Sequence, residues 1–314
     1  MTIRRKTNLL WGVILLAAAL ILLTRTLGVL PDTIFDLIVR AAPALLVLVG
    51  VSFVLQDRIP FGGFFALILS LVIVGVIGFT AYSTRESQTR DDTRQPIDQV
   101  IAPDVSLLRV RIGALATAVD VISGGTGRVT GEFVGSLDNL MEVSYEQLPD
   151  NSATLTLRET QPDEFPRLES VGRGTFRLTL PVGVPLDVEF TGQDGNVVLN
   201  MSGTSLERLN VNAQRGEVVI TLPEYEPLFS AQNELLGTLT TQQGDLTMFV
   251  PASVAARLEL DRGGSGIDPQ HDPTVYNYLV VGDVLESRQI NTAPITVRYA
   301  LVVPRGRIRV EVPN

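Results

Sequence analysis

The chain has 314 residues, a formal net charge of −9, a 45% hydrophobic share, no cysteine and one histidine. Without cysteine there can be no disulfide, thiolate metal site or Cys nucleophile. The single lysine, Lys6, lies ahead of the first apolar run, so no phosphate-binding loop with its lysine exists. Charge divides the chain in two. Residues 1–82 hold six basic and three acidic groups, a net of +3, which leaves 19 Arg against 31 acids, a net of −12, in residues 83–314. An acidic domain of that size repels phosphate backbones, so nucleic acid is not an expected partner.

Three apolar stretches open the chain. They run from Leu9 to Leu23, from about Ile34 to Leu55 and from Phe61 to Tyr82. A helix needs about 20 apolar residues to cross a bilayer core, and the second and third suffice. The first extends through Thr24 to Leu30 with Arg25 snorkelling; a cleaved signal peptide is its alternative reading. The expectation is a membrane region of three helical spans over 1–82, with the lipid bilayer as its first partner. Arg4, Arg5 and Lys6 argue for a cytoplasmic N-terminus, which after three spans puts residues 83–314 outside. Arg85, Arg90 and Arg94 follow the third span and blunt that asymmetry.

Within 9–55, Gly12, Leu27-Gly28-Val29-Leu30-Pro31, Pro43 and Gly50 punctuate a rhythm of helix, short loop and helix. This stretch resembles the LiaI/LiaF-like transmembrane region of bacterial envelope-stress proteins. That family often places a Trp just before the second helix's proline, where this chain has Arg40-Ala41-Ala42.

Residues 83–104 (beginning STRESQTRDDTRQPIDQ) are polar and lack apolar periodicity, which predicts an exposed tether. The folded domain is expected over 105–314, beginning near Val105.

One eight-residue pattern then recurs. It reads GTFRLTLP at 174–181, GEVVITLP at 216–223, GDLTMFVP at 244–251 and GRIRVEVP at 306–313, with an imperfect copy, GNVVLNMS, at 195–202. Apolar residues alternate inside each copy, as at Val218, Ile220 and Leu222, which is the period of a strand with one buried face. Gly174, Gly195, Gly216, Gly244 and Gly306 supply turns into the strands. Pro181, Pro223, Pro251 and Pro313 lack an N–H and are expected to stop ladder bonding. Gly174 to Gly195 and Gly195 to Gly216 are each 21 residues; Gly216 to Gly244 is 28, consistent with an insertion in EYEPLFSAQNELLG. Equal spacing with fixed ends predicts a single-stack, β-helix-like solenoid, in which each copy is one rung and stacked rungs share a core. A β-sandwich is the alternative, since it also shows short strands and frequent turns. Leu108, Val110 and Ile112 alternate as well, but 105–160 does not fit the repeat.

Units of this form resemble the toastrack domain, also labelled an adhesin, over roughly 105–313. That family is commonly fused to LiaI/LiaF-like or other small membrane modules. The resemblance implies a role in sensing or assembly at the bacterial envelope and brings no catalytic residues.

Chemistry is sparse. His271 lies between Asp268 and Asp272 in a Pro-rich segment, read as a surface turn in preference to a metal or acid/base site. GGSGI (263–267) lacks the last glycine of a nucleophile elbow, and SGGTG (123–127) reads as a turn. Asp163 with Glu164, and Glu224 with Glu226, are the carboxylate pairs a glycan-cleaving solenoid would need. Outward positions, among them Thr175, Arg177, Asn196, Val198, Glu217, Val219, Thr247 and Arg309, would stack into flat polar ladders with some exposed apolar residues. No catalytic group, metal or cofactor is expected. The reading is a non-enzymatic inner-membrane protein that senses or regulates envelope stress through contacts with other membrane proteins. An adhesion or glycan-binding module, whose partners are envelope polymers, is the alternative, and a carbohydrate-active enzyme a further one.

Overall fold

The computed structural model describes residues 82–86, 88–161, 172–228, 234–263 and 267–313, with scattered positions between 72 and 79. The three expected spans lie almost wholly outside the described residues. Among the described residues no helix is long and apolar enough to cross a membrane.

The β domain is all strand. In chain order it contains β1 (Thr93–Val100), β2 (Leu107–Ala114), β3 (Thr117–Thr126), β4 (Arg128–Gly135), β5 (Leu140–Gln147) and β6 (Ser152–Thr160). Then come β7 (Gly174–Val182), β8 (Pro185–Asp194), β9 (Val197–Asn200), β10 (Ser205–Arg215), β11 (Val218–Thr221), β12 (Thr238–Gln243) and β13 (Leu246–Phe249). The last are β14 (Val254–Asp261), β15 (Gln270–His271), β16 (Tyr276–Leu279), β17 (Val284–Ser287), β18 (Ile295–Val302) and β19 (Ile308–Glu311). They form two mixed sheets. The first is ordered β1-β4-β7-β3-β9-β11-β13-β19-β15, the second β16-β17-β14-β18-β12-β10-β8-β2-β6-β5.

From β7 to β14 the chain alternates between the sheets, so a rung is one strand of the second sheet followed by one of the first. Neighbouring rungs pair in parallel and in register. Val119, Val197, Val218, Leu246 and Ile308 make one inward column, and Val121, Leu199, Ile220, Met248 and Val310 the next. In the second sheet Leu157, Ile112, Phe190, Val211, Leu239 and Leu301 do the same. These residues are nearly all fully buried, and one continuous core joins both inner faces. Burial of such side chains contributes roughly 1.5–3 kcal/mol each against leaving them exposed. No single rung can supply a core alone, which is why the alternating pattern must recur.

The order of rungs departs from the order expected. β3 lies between β7 and β9, so the copies that begin at Gly174 and Gly195 are not neighbours. Likewise β18 and β19 insert ahead of β14 and β15. The rung β2–β3 is an unrecognised copy, with Thr117 in the glycine position opposite Gly174. Its corner is held by Glu159, a buried carboxylate whose Oε2 accepts from the N–H groups of Leu115 at 2.6 Å and Ala116 at 3.2 Å. Asn139 Nδ2 donates to the other oxygen at 2.8 Å. Three donors at one carboxylate offset the cost of burying it.

Three further expectations are corrected. The presumed tether contains β1, which pairs antiparallel with β4 along Thr93 to Val100, so the β domain begins well before Val105. Only Ile97 in β1 is a buried apolar residue, so a polar edge strand left no periodic signal. SGGTG is not a loop throughout: Ser123 to Thr126 continue β3 past a register shift between Ser123 and Gly125, and the turn comes at Gly127 with φ +64°. Pro181, opposite Gly125, sits inside β7 and does not end it.

Candidate interaction surface

The recurring glycines form a column along one corner of the stack. Gly195, Gly216 and Gly244 have φ of +140°, +123° and +148°, a region that side-chain-bearing residues avoid. Space excludes a side chain as well. A Cβ on Gly195 would lie 2.4 Å from the Thr117 carbonyl oxygen, on Gly216 2.1 Å from that of Gly195, on Gly244 2.0 Å from that of Gly216, and on Gly306 1.9 Å from that of Gly244. Gly174 closes on the side chain of Thr117, with a Cβ placed 2.6 Å from its Oγ1. Three of these glycines reach the next rung through their N–H: Gly195 donates to the Arg215 carbonyl at 3.2 Å, Gly216 to Gln243 at 3.0 Å and Gly244 to Arg305 at 3.1 Å. Side chains just past the glycines extend the ladder, with Asn196 Oδ1 accepting from Glu217 N–H and Asp245 Oδ1 from Arg307 N–H. The column spaces the rungs and so sets the outer faces. Pro223 and Pro251 are buried just beyond β11 and β13, and Pro313 is exposed beyond β19.

On the outer face of the first sheet, one register row runs Glu132, Arg177, Asp120, Val198, Val219, Thr247, Arg309, Gln270. Charges thus flank an apolar middle. Ile122 and Val198 are 44% and 39% exposed there. Thr247 faces the same way yet is buried, in register between Val219 and Arg309.

The outer face of the second sheet is a lattice of cross-strand ion pairs. Arg111 Nε lies 3.4 Å from Glu189, Arg298 Nη2 2.7 Å from Glu259, and Arg257 Nη1 2.7 Å from Glu286. The first of these pairs is exposed and the other two are half-buried; surface pairs of this kind add little stability. Burial pushes the Asp187 carboxyl above the usual carboxylate range, against the pull of Arg208 and Arg109 beside it.

The residues singled out for chemistry are scattered. His271 is half-buried in β15, its Nδ1 2.9 Å from the Pro269 carbonyl. Asp272 accepts instead from the hydroxyl and N–H of Thr274, which hold its carboxyl below the usual range. Asp268 turns to Arg262 at 3.2 Å. Glu224 and Glu226 are both exposed on the β11–β12 insertion. That insertion is tied down by Glu207, the bulge residue of β10, whose Oε1 accepts from the Tyr225 hydroxyl at 2.6 Å and from Leu228 N–H at 3.2 Å. Burial and that carboxylate together push the Tyr225 hydroxyl far above its ordinary pKa. Asp163, Glu164 and the centre of GGSGI lie outside the described residues. Among the described residues no group of three or more His, Asp or Glu is placed to hold a metal ion.

Residues 10–87 match the family described as the LiaF transmembrane domain. Membrane association follows from that match. The β domain is similar in fold to a solved "putative cell adhesion protein" from Clostridium sporogenes, at a TM-score of 0.56 and 15% identity, over 70% of this chain and 100% of that one. A "putative adhesin" from Bacteroides fragilis aligns over 72% of this chain and 99% of its own, at 12% identity and a TM-score of 0.27, too low to carry an argument. No curated protein matches the chain. One part of the chain thus matches the LiaF transmembrane family, and the other shares the fold of that Clostridium sporogenes protein.

Proposed function

We propose that this is a non-enzymatic bacterial envelope protein, anchored in the inner membrane by three helical spans, that senses or regulates envelope stress through protein contacts. The observation that carries the reading is the LiaF transmembrane match over 10–87, immediately followed by the β domain. We read that domain as an irregular solenoid, because its middle rungs pair in parallel and in register while the chain alternates between sheets. Such a stack offers long, rigid outer faces and suits recognition more than chemistry. The domain lies outside the cytoplasm, as the basic N-terminus suggests. Deleting the gene tests the role. The expected result is an altered transcriptional response to cell-wall antibiotics and a changed antibiotic sensitivity, restored by the intact chain. An unchanged response and sensitivity would remove the regulatory reading.

The fold likeness to a cell adhesion protein supports a second reading, as an adhesion or glycan-binding module. Retention of the chain on purified peptidoglycan would favour it, whereas a regulator that works only through proteins should pass through.

A further inference from the structure

We propose that the free edge of β5 is a docking site for an extended, basic segment of a partner protein, which joins the second sheet as an added strand. This names a site for the protein contacts proposed above and rests on that reading. Its test uses purified chain, so it can fail while the membrane placement stands.

Two sheets of this kind have four edge strands, and here three are blunted. β1 carries Pro96 between Arg94 and Asp98, β15 has two residues and β16 four. β5 has eight residues, LMEVSYEQ, with no proline and no basic side chain. Its pairing with β6 fixes which groups are free. Leu148 N–H donates to the Ser152 carbonyl at 2.8 Å, one step beyond the last pair of the ladder, Gln147 with Ala153. The even-numbered residues therefore bond β6, and the odd-numbered ones point their N–H and C=O outward. Met141 is odd-numbered, and its outward groups are already taken by a side-chain amide. Met141 N–H donates to Gln95 Oε1 at 3.0 Å, and Gln95 Nε2 donates to the Met141 carbonyl at 2.6 Å. Gln95 thus does what a neighbouring strand would do, for one residue only. The outward groups of Val143 and Tyr145 have no such partner among the described residues. Among the described residues the buried Tyr145 hydroxyl has no hydrogen-bond partner either. Val143 is 40% exposed although it points to the inner face.

The chemistry of the occupant follows from the flanking side chains. Glu142 and Glu146 line the outer face of β5 beside the open edge, in a domain whose net charge is already negative. A strand bearing Lys or Arg at alternate positions would set them opposite those carboxylates. A second copy fits less well. In the two-fold register that sets the two partnerless residues against each other, Val143 against the second copy's Tyr145, Glu142 comes opposite a second Glu146. Like charges directly opposite are destabilising.

The test measures fluorescence anisotropy of a labelled peptide of alternating Lys and Thr, titrated with the full chain in detergent, beside a matched peptide of alternating Glu and Thr. The Lys peptide should bind and the Glu peptide should not. Val143→Pro takes an outward N–H from the edge and breaks no bond to β6, so it should weaken binding at least tenfold with an unchanged melting temperature. Should that variant melt early, Glu142→Lys with Glu146→Lys carries the test, since both sites are exposed and the preference should pass to the Glu peptide. Equal binding of both peptides, or binding indifferent to these changes, overturns the proposal. So does protection of the Val143 and Tyr145 amides in monomeric chain without peptide, which would make a segment of the same chain the occupant. A dimer dissolved by Val143→Pro would make the occupant a second copy and overturn it too.

Discussion

Ile220→Asp should unfold the β domain, whereas Thr221→Asp, one residue along, should leave it folded. Ile220 is fully buried in the inward column between Leu199 and Met248. Aspartate there would lose the apolar contacts and bring a carboxylate with no donor into the core. The cost is more than about 4 kcal/mol, a large part of the stability of an ordinary domain. Thr221 faces outward between Asn200 and Phe249, where a carboxylate keeps its water. The penalty there is the low strand propensity of Asp, about 1 kcal/mol or less. Chemical denaturation of the two variants, followed by circular dichroism, measures the contrast. Similar midpoints would show that the register of the stack is wrong.

Gly216→Ala should be among the most damaging single-methyl additions in the domain. The new Cβ would lie 2.1 Å from the Gly195 carbonyl oxygen and 2.7 Å from its carbon, at a φ of +123°. The three nearest atoms are all backbone of Gly195 and Asn196, which leaves nothing flexible to move, so the rungs must separate. Conformational strain and overpacking together cost roughly 3 kcal/mol or more. Gly127→Ala is the control. Its φ is +64°, yet a Cβ there meets nothing within 4 Å. That variant should lose only the left-handed penalty of about 1–2 kcal/mol. If both alanines lowered the melting temperature equally, close contact between rungs would not be the reason for the repeated glycine.

The contrast between these glycines shows what a sequence can carry. The repeat was legible because glycine and the alternating apolar residues answer to constraints inside one strand. The β2–β3 rung stayed hidden because Thr117 stands in the glycine position, although Val119 and Val121 alternate as in the other copies. Counting 21 residues from Gly174 to Gly195 suggested neighbours, since spacing cannot reveal that another rung is inserted between them. In the sequence β1 resembles a tether because an edge strand needs few buried side chains. The β5 edge was not legible at all. It depends on which backbone groups face outward and on Gln95 meeting Met141 across 46 residues. The LiaF-type membrane region was readable from its glycines and prolines, since the bilayer sets helix lengths and short loops in the sequence itself.

The central claim is a membrane-anchored β domain that meets its partners outside the cytoplasm, and topology tests it most directly. The chain has no cysteine, and Val281 is 94% exposed beyond β16, so Val281→Cys is a single clean reporter. Intact cells would be treated with a membrane-impermeant maleimide, with lysed cells as the control for reactivity. The account predicts labelling in intact cells at the level seen after lysis. Labelling only after lysis would place the β domain in the cytoplasm and contradict it.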